Sequence, residues 1–266
     1  MPEGHSIRHL ANVLGHELGH RRVAVSSPQG RFADEAVRLD GRTLERLRAH
    51  GKHLFLGFGS DHNVHIHLGL YGWFYIVKPD EAGEPKNTVR LRLGAETCVA
   101  DLIAPTACEL LTDTQVDGKC ASLGPDPIHG DADPERAWAR ITRSKKSIAA
   151  LLMDQAVIAG IGNVYRAEIL FKSRTHPHTP GTQVTRAQFD ELWTLARNLL
   201  RDGSRDGKIR TVEAEHLSDD EVRLHGCAQH SYVYKRTGGP CRICTTTVRE
   251  EPLAGRTLYW CPGCQR

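Results

Sequence analysis

Pro2 and Glu3, after the starting methionine, have side chains and a position that could support nucleophilic chemistry. Proline as the second residue normally permits removal of Met1, which leaves a free secondary amine. An α-amino group has a pKa of roughly 8, about two units below that of lysine, so part of it is uncharged at neutral pH. Its attack on a carbon at the aldehyde oxidation level, such as a sugar C1′, gives an iminium after the leaving group departs, and Glu3 could transfer protons beside it. The same residues also fit an ordinary translated start.

Four of the eight cysteines are spaced as metal ligands, in two C-x2-C pairs separated by 16 residues. This spacing is typical of a zinc ribbon or zinc finger. Four thiolates form a closed shell without a position for water, so the predicted zinc ion, one per chain, is structural. Disulfides or free thiols are the alternatives. The four proposed ligands are Cys241, Cys244, Cys261 and Cys264; the other four, predicted to be small buried side chains, are Cys98, Cys108, Cys120 and Cys227.

A glycine-rich segment, Gly160-Ile161-Gly162-Asn163, lies between two helical patterns. Gly160 suits the end of one helix, and Asn163 suits the N-cap of the next. The backbone N–H groups at such a helix start bind phosphate well, and Arg166 in the first turn would favour an anion nearby. The alternative is a tight turn between helices.

Two short segments of the first half have both a functional and a structural interpretation. Lys52, after Gly51, either approaches a phosphate or sugar or is a solvated surface charge. Leu70 and Tyr71, before Gly72, either insert into a base stack or pack at the tip of a hairpin.

Three histidines, His62, His65 and His67, lie close together in the sequence. His65 and His67 share one face of a predicted strand, as metal ligands could. Because no carboxylate or cysteine lies at ligand spacing nearby, we interpret all three as ordinary strand histidines.

The first 122 residues, which must position Pro2 and Lys52, have the pattern of a β-rich domain. A helix is predicted over residues 6–14, and short strands with Gly, Asn and Asp turns follow it, which indicates a β-sandwich. The predicted strands are Arg21–Ser26, His53–Phe58, Val64–Leu70, Trp73–Val77 and Thr88–Leu93.

The remainder of the chain has a helical pattern after a predicted linker at residues 123–132. Asp133 and Pro134 form a favourable helix start. Residues 202–227 are polar and are predicted to form a mobile loop. We predict domains at 1–122, 133–228 and 229–266, with helices at Ala137–Arg143, Ile148–Ala156, Val164–Phe171 and Ala187–Leu200.

The composition excludes several classes of protein. Hydrophobic residues make up 39% and charged residues 25% of the 266, which is typical of a soluble globular protein. Without a long apolar run or an export signal, we expect neither a membrane protein nor a secreted precursor, and we place the protein in the cytoplasm. The formal net charge is only +3, but the segment from Ser231 onward has six basic and two acidic residues, a local charge of +4.

The order of these motifs is more specific than any one of them. From end to end the chain resembles the formamidopyrimidine-DNA glycosylase/endonuclease VIII family. The resemblance implies an α+β fold: an N-terminal β-sandwich with an N-terminal helix, then a helical domain with a helix–two-turn–helix and a zinc-finger β-hairpin. The matching segments are Pro2-Glu3-Gly4, Gly51-Lys52, His67–Gly72, Asp154-Gln155, Ala159–Tyr165, Tyr232–Arg236, Gly255-Arg256-Thr257 and the four cysteines.

The resemblance also implies a role for individual residues. Pro2 would be the nucleophile that attacks a sugar C1′, Glu3 its acid/base partner and Lys52 the active-site lysine. The implied partner is damaged double-stranded DNA, whose target nucleotide is flipped out of the helix. Asn163 and Arg256 would bind backbone phosphates, whereas the space left by the flipped base would be filled by Leu70 and Tyr71.

The implied activity is that of a bifunctional DNA glycosylase/AP lyase of base excision repair. It would remove oxidised bases through a Pro2 iminium and cut the strand by β,δ-elimination. The protein would act as a monomer and, if its source is bacterial, would be associated with the nucleoid. Alternatives are a non-catalytic zinc-dependent DNA-binding protein, a zinc-ribbon module that binds proteins, and an oxidised-purine glycosylase.

Two departures from the family pattern bear on the substrate. Formamidopyrimidine-DNA glycosylases proper have an Asp-Pro-Arg-Arg-Phe-Gly loop where this chain has Asp101-Leu102-Ile103-Ala104-Pro105-Thr106. Leu70-Tyr71 is closer to the endonuclease VIII branch, which favours oxidised pyrimidines such as thymine glycol. Ser6 stands where the family often has glutamate.

Overall fold

The structure is a computed structural model and describes residues 2–217 and 230–266. The chain divides into two compact units, one ending at Ser122 and the other running from Leu123 to Arg266. The second unit contains the helices and the C-terminal cysteine segment together. The predicted α+β class is confirmed, with sheets in the first unit and mainly helices in the second.

Two four-stranded antiparallel sheets make up most of the first unit. The strand orders are β1-β6-β7-β5 and β2-β3-β4-β8. The elements are α1 (Gly4–Leu18), β1 (Ala24–Ser26), α2 (Ala33–Leu39), β2 (Arg46–His50), β3 (His53–Gly57), β4 (Asn63–His67), β5 (Trp73–Val77), β6 (Val89–Gly94), β7 (Val99–Ile103), β8 (Ala107–Leu111) and α3 (Asp113–Ser122).

The core of this unit joins residues from both sheets and α1. On β6, Val89, Leu91 and Leu93 alternate with more exposed neighbours, as their period of two predicts. Leu91 and Leu93 belong to one buried cluster with Leu54 of β3 and Leu14 of α1. The two sheets therefore enclose a shared apolar layer, as in a β-sandwich.

The sequence misplaced some boundaries in the first unit. The strand predicted over Val64–Leu70 ends at His67, because a turn begins there and Gly69 has a φ of +67°. The predicted helix over residues 6–14 is longer at both ends. Five elements were not predicted: α2, β2, β7, β8 and α3.

In the described residues of the second unit, 123–217 and 230–266, there are four α-helices and one β-hairpin. Asp133 caps the first helix, because its side chain accepts a hydrogen bond from the Glu135 N–H at 3.0 Å, as predicted. Of the residues the structure describes in both units, no helix is long and apolar enough to cross a membrane. The elements are α4 (Pro134–Ile141), α5 (Ile148–Met153), α6 (Asn163–Lys172), α7 (Arg186–Asp206), β9 (Arg249–Leu253) and β10 (Arg256–Trp260).

Two predictions for this unit require correction. The helix predicted to reach Ala156 ends at Met153, where Asp154 takes an extended conformation and its side chain accepts from the Ala156 N–H. The predicted mobile loop over 202–227 begins inside α7, which continues to Asp206 and ends at Gly207 with a φ of +67°. Its residues 218–227, Cys227 included, lie outside the described residues.

Candidate active site and nucleic-acid interface

Pro2 and Glu3 lie immediately before the first turn of α1. Glu3 has an extended backbone, and its carbonyl accepts the Ser6 N–H at 2.9 Å, which starts the helix. The Glu3 side chain is fully buried, whereas Pro2 is half-buried. Pro2 opens onto a cavity of about 360 Å³ that is also lined by Ser6, Leu68 and Trp73. The arrangement places Pro2 beside a space that could admit part of a substrate.

Lys52 lies in the two-residue turn between β2 and β3, in which Gly51 has a φ of +55°. His53 pairs with His67, so this turn lies at the end of the sheet where β4 ends and Leu68 follows. Burial is the main cause that lowers the pKa of His67, and the positive charge of Lys52 lowers it further. The topology therefore places Lys52 at the same end of the sheet as the residues that follow β4 and line the Pro2 cavity.

Leu70 and Tyr71 project from a tight turn after β4. The Gly72 N–H donates to the Leu68 carbonyl at 2.9 Å and closes the turn. Tyr71 is 82% exposed and Leu70 is 41% exposed, so both are available for contact with a ligand. Large apolar side chains held in this way suit insertion into a base stack.

Glu109, His65 and His53 form a hydrogen-bonded chain that the sequence did not indicate. Strand pairing brings Glu109 of β8 opposite His65, and its carboxylate accepts from the His65 Nδ1–H at 2.8 Å. The other ring nitrogen of His65 lies 2.8 Å from His53 Nδ1. Glu109 thus lies beside His65 in space, although no carboxylate is at ligand spacing in the sequence. Burial lowers the pKa of His65, as for a neutral interior imidazole.

Asn163 links the start of α6 to the C-terminal hairpin. Its side-chain amide donates to the Thr257 carbonyl at 2.9 Å, and its side-chain oxygen accepts from Arg166. The N-cap is Gly162, without a side-chain cap, so the prediction that Asn163 is the N-cap is wrong. Arg166 is fully buried and donates to the Thr257 carbonyl at 3.1 Å, which corrects its predicted place beside a phosphate.

The turn before α6 is held by one glutamine. The Gln155 side chain accepts from the Gly160 N–H at 3.0 Å and donates to the Ile161 carbonyl at 2.9 Å. Gly160 has a φ of +92° and lies seven residues beyond Met153, the end of α5, so its predicted place at a helix end is also wrong. These two hydrogen bonds of Gln155 fix the path along which the backbone enters α6.

Arg256 begins β10 directly after the turn of the hairpin, in which Ala254 and Gly255 both have positive φ. It is exposed, whereas Leu258 two residues later is fully buried in the helical core. The hairpin therefore presents Arg256 to solvent while its neighbour Thr257 is bound to Asn163.

The four predicted metal ligands converge at the base of this hairpin, with all Sγ atoms within 4.8 Å of one another. Two of the Sγ–Sγ distances are 3.8 Å, between Cys241 and Cys264, and 3.5 Å, between Cys244 and Cys261. A tetrahedron with metal–sulfur bonds of about 2.3 Å has edges of about 3.8 Å, so the cluster can hold one metal ion. Among the described cysteines none forms a disulfide.

Of the other cysteines that are described, Cys98 and Cys120 are buried and Cys108 is half-buried. Burial raises the pKa of Cys98 to about 11 and that of Cys108 to about 12, so both remain neutral thiols at physiological pH.

Comparison with known proteins agrees with this arrangement. The Formamidopyrimidine-DNA glycosylase N-terminal domain model matches residues 1–104, and the model of the H2TH domain of the same proteins matches residues 123–214. "Endonuclease 8 1" of Mycobacterium tuberculosis is 45% identical over 274 residues, covering 100% of both chains. The chain belongs to the formamidopyrimidine-DNA glycosylase/endonuclease VIII family. It is a family of DNA glycosylases, consistent with base excision repair.

Some other proteins in the comparison have lower identity to this chain. "Endonuclease 8" of Pectobacterium atrosepticum is 31% identical over the full length of both chains. A solved complex of Lactococcus lactis Fpg with abasic-site DNA has a TM-score of 0.81 at 22% identity and covers 99% of each chain. A structure of MutM with DNA containing carbocyclic 8-oxo-G has a TM-score of 0.82 at 21% identity and covers both chains fully. At these identities the solved structures establish the fold.

The segment Asp101–Thr106 includes the end of β7 and its connection to β8. Asp101 is buried in β7, where its carboxylate accepts two hydrogen bonds from Arg92 at 2.7 and 2.8 Å. Only three residues, 104–106, connect β7 to β8, and the Thr106 N–H donates to the His67 carbonyl at 2.8 Å. The segment is therefore a short connection packed under the Leu70–Tyr71 turn. At the other departure from the pattern, the Ser6 hydroxyl lies 2.9 Å from His5 Nε2.

One residue that supports the interface was not predicted. Glu168 of α6 is fully buried, and its carboxylate accepts the backbone N–H groups of Tyr232, Val233 and Tyr234 at 2.7 to 3.0 Å. The Thr211 hydroxyl donates to it at 2.5 Å. This carboxylate anchors the segment that leads into the cysteine hairpin. The only signal in the sequence was an acidic residue among apolar positions of a helix.

Proposed function

We propose that the protein is a bifunctional DNA glycosylase/AP lyase that removes oxidised pyrimidines, such as thymine glycol, with Pro2 as the nucleophile. The observation that carries the proposal is the pairing of a half-buried Pro2 with a fully buried Glu3 at a cavity of about 360 Å³. A protein that only binds DNA has no need of this pair. The family assignment and the similarity to Endonuclease 8 proteins support the same class of reaction.

The chemistry begins when the damaged nucleotide is flipped out, which exposes C1′ at a cost of about a few kcal/mol. The Pro2 nitrogen, freed of Met1, forms a bond to C1′, and the glycosidic bond breaks as the base departs with a proton. Glu3 protonates the ring oxygen of the sugar, so the ring opens and a Pro2 iminium forms. The iminium accepts the electron pair released when a proton leaves C2′.

Elimination then breaks the strand. Loss of the C2′ proton expels the 3′ phosphate, and loss of a further proton expels the 5′ phosphate, which leaves a one-nucleotide gap. Hydrolysis of the remaining conjugate with water regenerates Pro2. Lys52 stabilises the phosphate charge, and its place at the same end of the sheet as Leu68 supports this role.

DNA binding is assigned to three features, of which the Leu70–Tyr71 turn and Arg256 are exposed and Asn163 is buried. Leu70 and Tyr71 fill the space of the flipped base, as their exposure permits. Arg256 binds a phosphate from the tip of the hairpin. Asn163 binds a second one with the amide N–H that Thr257 does not accept, since an amide nitrogen carries two donors.

The metal of the cysteine cluster is proposed to be Zn²⁺, which four thiolates in tetrahedral arrangement favour. Its role is structural, because four protein ligands complete the shell. It would hold the hairpin on which Arg256 is placed.

An oxidised-purine glycosylase is the second candidate, favoured by the similarity to a Formamidopyrimidine-DNA glycosylase of Chloroflexus aurantiacus, 31% identical over 86% of this chain. Against it, no arginine is present in Asp101–Thr106, and that segment forms a short connection rather than a long loop. A panel of duplexes with thymine glycol, dihydrouracil, 8-oxoguanine or an abasic site distinguishes the two candidates.

The proposal is tested by borohydride trapping. Processed protein and an abasic duplex should give a covalent adduct, which peptide mapping places at Pro2. A form with one extra residue before Pro2 has the same fold but no secondary amine, so it should bind the duplex and give no adduct. Val37→Ala, at an exposed position of α2, is the surface control. Binding without an adduct by the processed protein would instead support the non-catalytic alternative.

A further inference from the structure

Exposed large apolar side chains are concentrated in one short segment. In the part of the chain that the structure describes there are six, and four of them lie between residues 70 and 75. Two are Leu70 and Tyr71 of the turn; the others are Trp73 and Tyr75, which are 49% and 46% exposed. Apolar clusters of this kind on a surface mark a binding site more often than single exposed residues do.

Trp73 and Tyr75 share the outer face of β5, an edge strand of its sheet, while Phe74 and Ile76 pack against the core. Their rings meet edge to face, with centroids 6.1 Å apart and an interplanar angle of 75°. Such an arrangement leaves one face of a ring uncovered by its partner. The pair therefore offers an uncovered aromatic ring face to solvent.

These two rings form one wall of a groove of about 530 Å³, the remainder of which includes Val77, Arg92 and Ile103. Trp73 also lines the cavity at Pro2. The groove and the Pro2 cavity thus have Trp73 in common, and Trp73 follows the Leu70–Tyr71 turn in the chain with only Gly72 between them.

The charges along the groove define what it can bind. Arg92 and Asp101 neutralise each other through two hydrogen bonds, and that pairing raises the pKa of Arg92. The remaining ionisable residues of the lining are Glu81, Glu84 and Lys86, a net charge of −1. The groove therefore does not attract phosphate. It suits a neutral planar ring, which binds by stacking.

We propose that Trp73 and Tyr75 form a stacking site for an unpaired nucleobase beside the lesion. The inference rests on the proposed function, because the base reaches the groove from a strand held at the Pro2 cavity. In a fully paired duplex the neighbouring bases are stacked on one another and leave the groove empty. The site thus contributes mainly where pairing is absent.

The test compares affinities for two oligonucleotides that carry the same tetrahydrofuran abasic analogue, one single-stranded and one fully paired. Stacking on an aromatic side chain accounts for about a tenfold change in affinity per base. Tyr75→Ala should weaken single-strand binding by about tenfold and duplex binding by less than about twofold. Trp73→Ala should also weaken single-strand binding, and Trp73→Phe should restore most of it. Val37→Ala, at another exposed apolar position, should change neither affinity.

Two further measurements distinguish base stacking from phosphate binding and from a distant effect of the substitution. The slope of log affinity against log salt should be unchanged in Tyr75→Ala, because no phosphate contact is lost. A 5-iodouracil next to the analogue should cross-link to Trp73 or Tyr75 on irradiation. Equal losses on both DNAs, an altered salt slope, or cross-linking elsewhere would overturn the proposal.

The aromatic surface could instead join two copies of the chain. Sedimentation of the wild type and Tyr75→Ala over a range of concentrations detects this, and a dimer present only in the wild type would overturn the stacking site. Failure of the inference is distinct from failure of the proposed function. If the wild type is trapped on an abasic duplex but Tyr75→Ala keeps full single-strand affinity, only the stacking site is wrong.

Discussion

The side-chain amide of Asn163, at the first position of α6, lies 2.9 Å from the backbone carbonyl of Thr257 in β10 and donates a hydrogen bond to it. The two residues are 94 positions apart in the chain. Arg256, the proposed phosphate ligand of the hairpin, is the residue before Thr257. One hydrogen bond thus couples the two elements to which phosphate binding is assigned, so the start of α6 and the hairpin are positioned together.

We expect Asn163→Ala to reduce the free energy of unfolding by about 2 kcal/mol. The substitution removes the acceptor of the buried Arg166 guanidinium and the donor to Thr257, and a buried polar group without its partner costs about 1–3 kcal/mol. Urea denaturation measures the change. Asn198→Ala, at an exposed position of α7, should alter stability by less than about 0.5 kcal/mol. Equal stability of the two variants would show that the Asn163 link has no energetic role.

Glu168→Gln should destabilise the protein by about 3 kcal/mol or more. A carboxylate offers two acceptor oxygens to three backbone N–H groups and the Thr211 hydroxyl, whereas an amide offers one oxygen and turns N–H donors toward other donors. Thermal and urea unfolding report the loss. The matched control is Glu191→Gln, exposed on α7, where little change is expected. A similar small effect at both positions would contradict the anchoring role of Glu168.

Removal of one cysteine ligand should abolish metal binding and loosen the second unit. Val248 and Leu258 of the hairpin segment belong to the same core as α6 and α7, so release of the metal exposes apolar surface. Elemental analysis should find about one zinc per chain in the wild type and in Cys108→Ser. Cys261→Ser should contain none and should unfold at a lower temperature. Full metal content in Cys261→Ser would exclude the proposed ligand set.

Stability should fall as the pH is lowered below about 6.5, in part because of His53. Burial, with the neighbouring His65 and His67, lowers the pKa of His53 to about 3 in the folded state, against about 6.5 in an unfolded chain. Between these values the unfolded chain binds one more proton, so the free energy of unfolding decreases by about 1.4 kcal/mol per pH unit on acidification.

Replacement of this histidine isolates its contribution. His53→Gln should reduce the slope of unfolding free energy against pH by about 1.4 kcal/mol per unit between about pH 5 and 6, whatever its effect on stability at about pH 8. His5, whose pKa is lowered to about 3 mainly by burial, should give a similar reduction when replaced by Gln. Urea denaturation at several pH values gives the slopes. Unchanged slopes would mean that these imidazoles are protonated in the folded protein.

The sequence predicted elements whose pattern is local. The alternation that identifies β6 and the Asp133-Pro134 start of α4 both appear in the structure as predicted. The helix α3 was missed because only Val116 and Cys120 of its ten residues are buried, with Gly118 between them. Such a weak apolar stripe does not stand out from a loop.

Features that depend on distant contacts could not be predicted. Glu109 meets His65 only through the pairing of β4 with β8, 44 residues apart. Asn163 appeared suited to a local cap, but its amide binds Thr257 instead. By contrast the four cysteines were found at once, because thiolate ligands have a characteristic spacing.

In the Leu70–Tyr71 turn, Gly69 and Gly72 are sterically required. A Cβ on Gly69 would collide with the Thr106 side chain, and one on Gly72 would collide with the Leu68 carbonyl. The two residues between them, Leu70 and Tyr71, have exposed side chains. The turn thus combines a backbone that its glycines fix with two side chains at its tip that can be exchanged. Under the proposed function, exchange of its pair of side chains, by evolution or by design, would retune lesion choice without rebuilding the scaffold beneath.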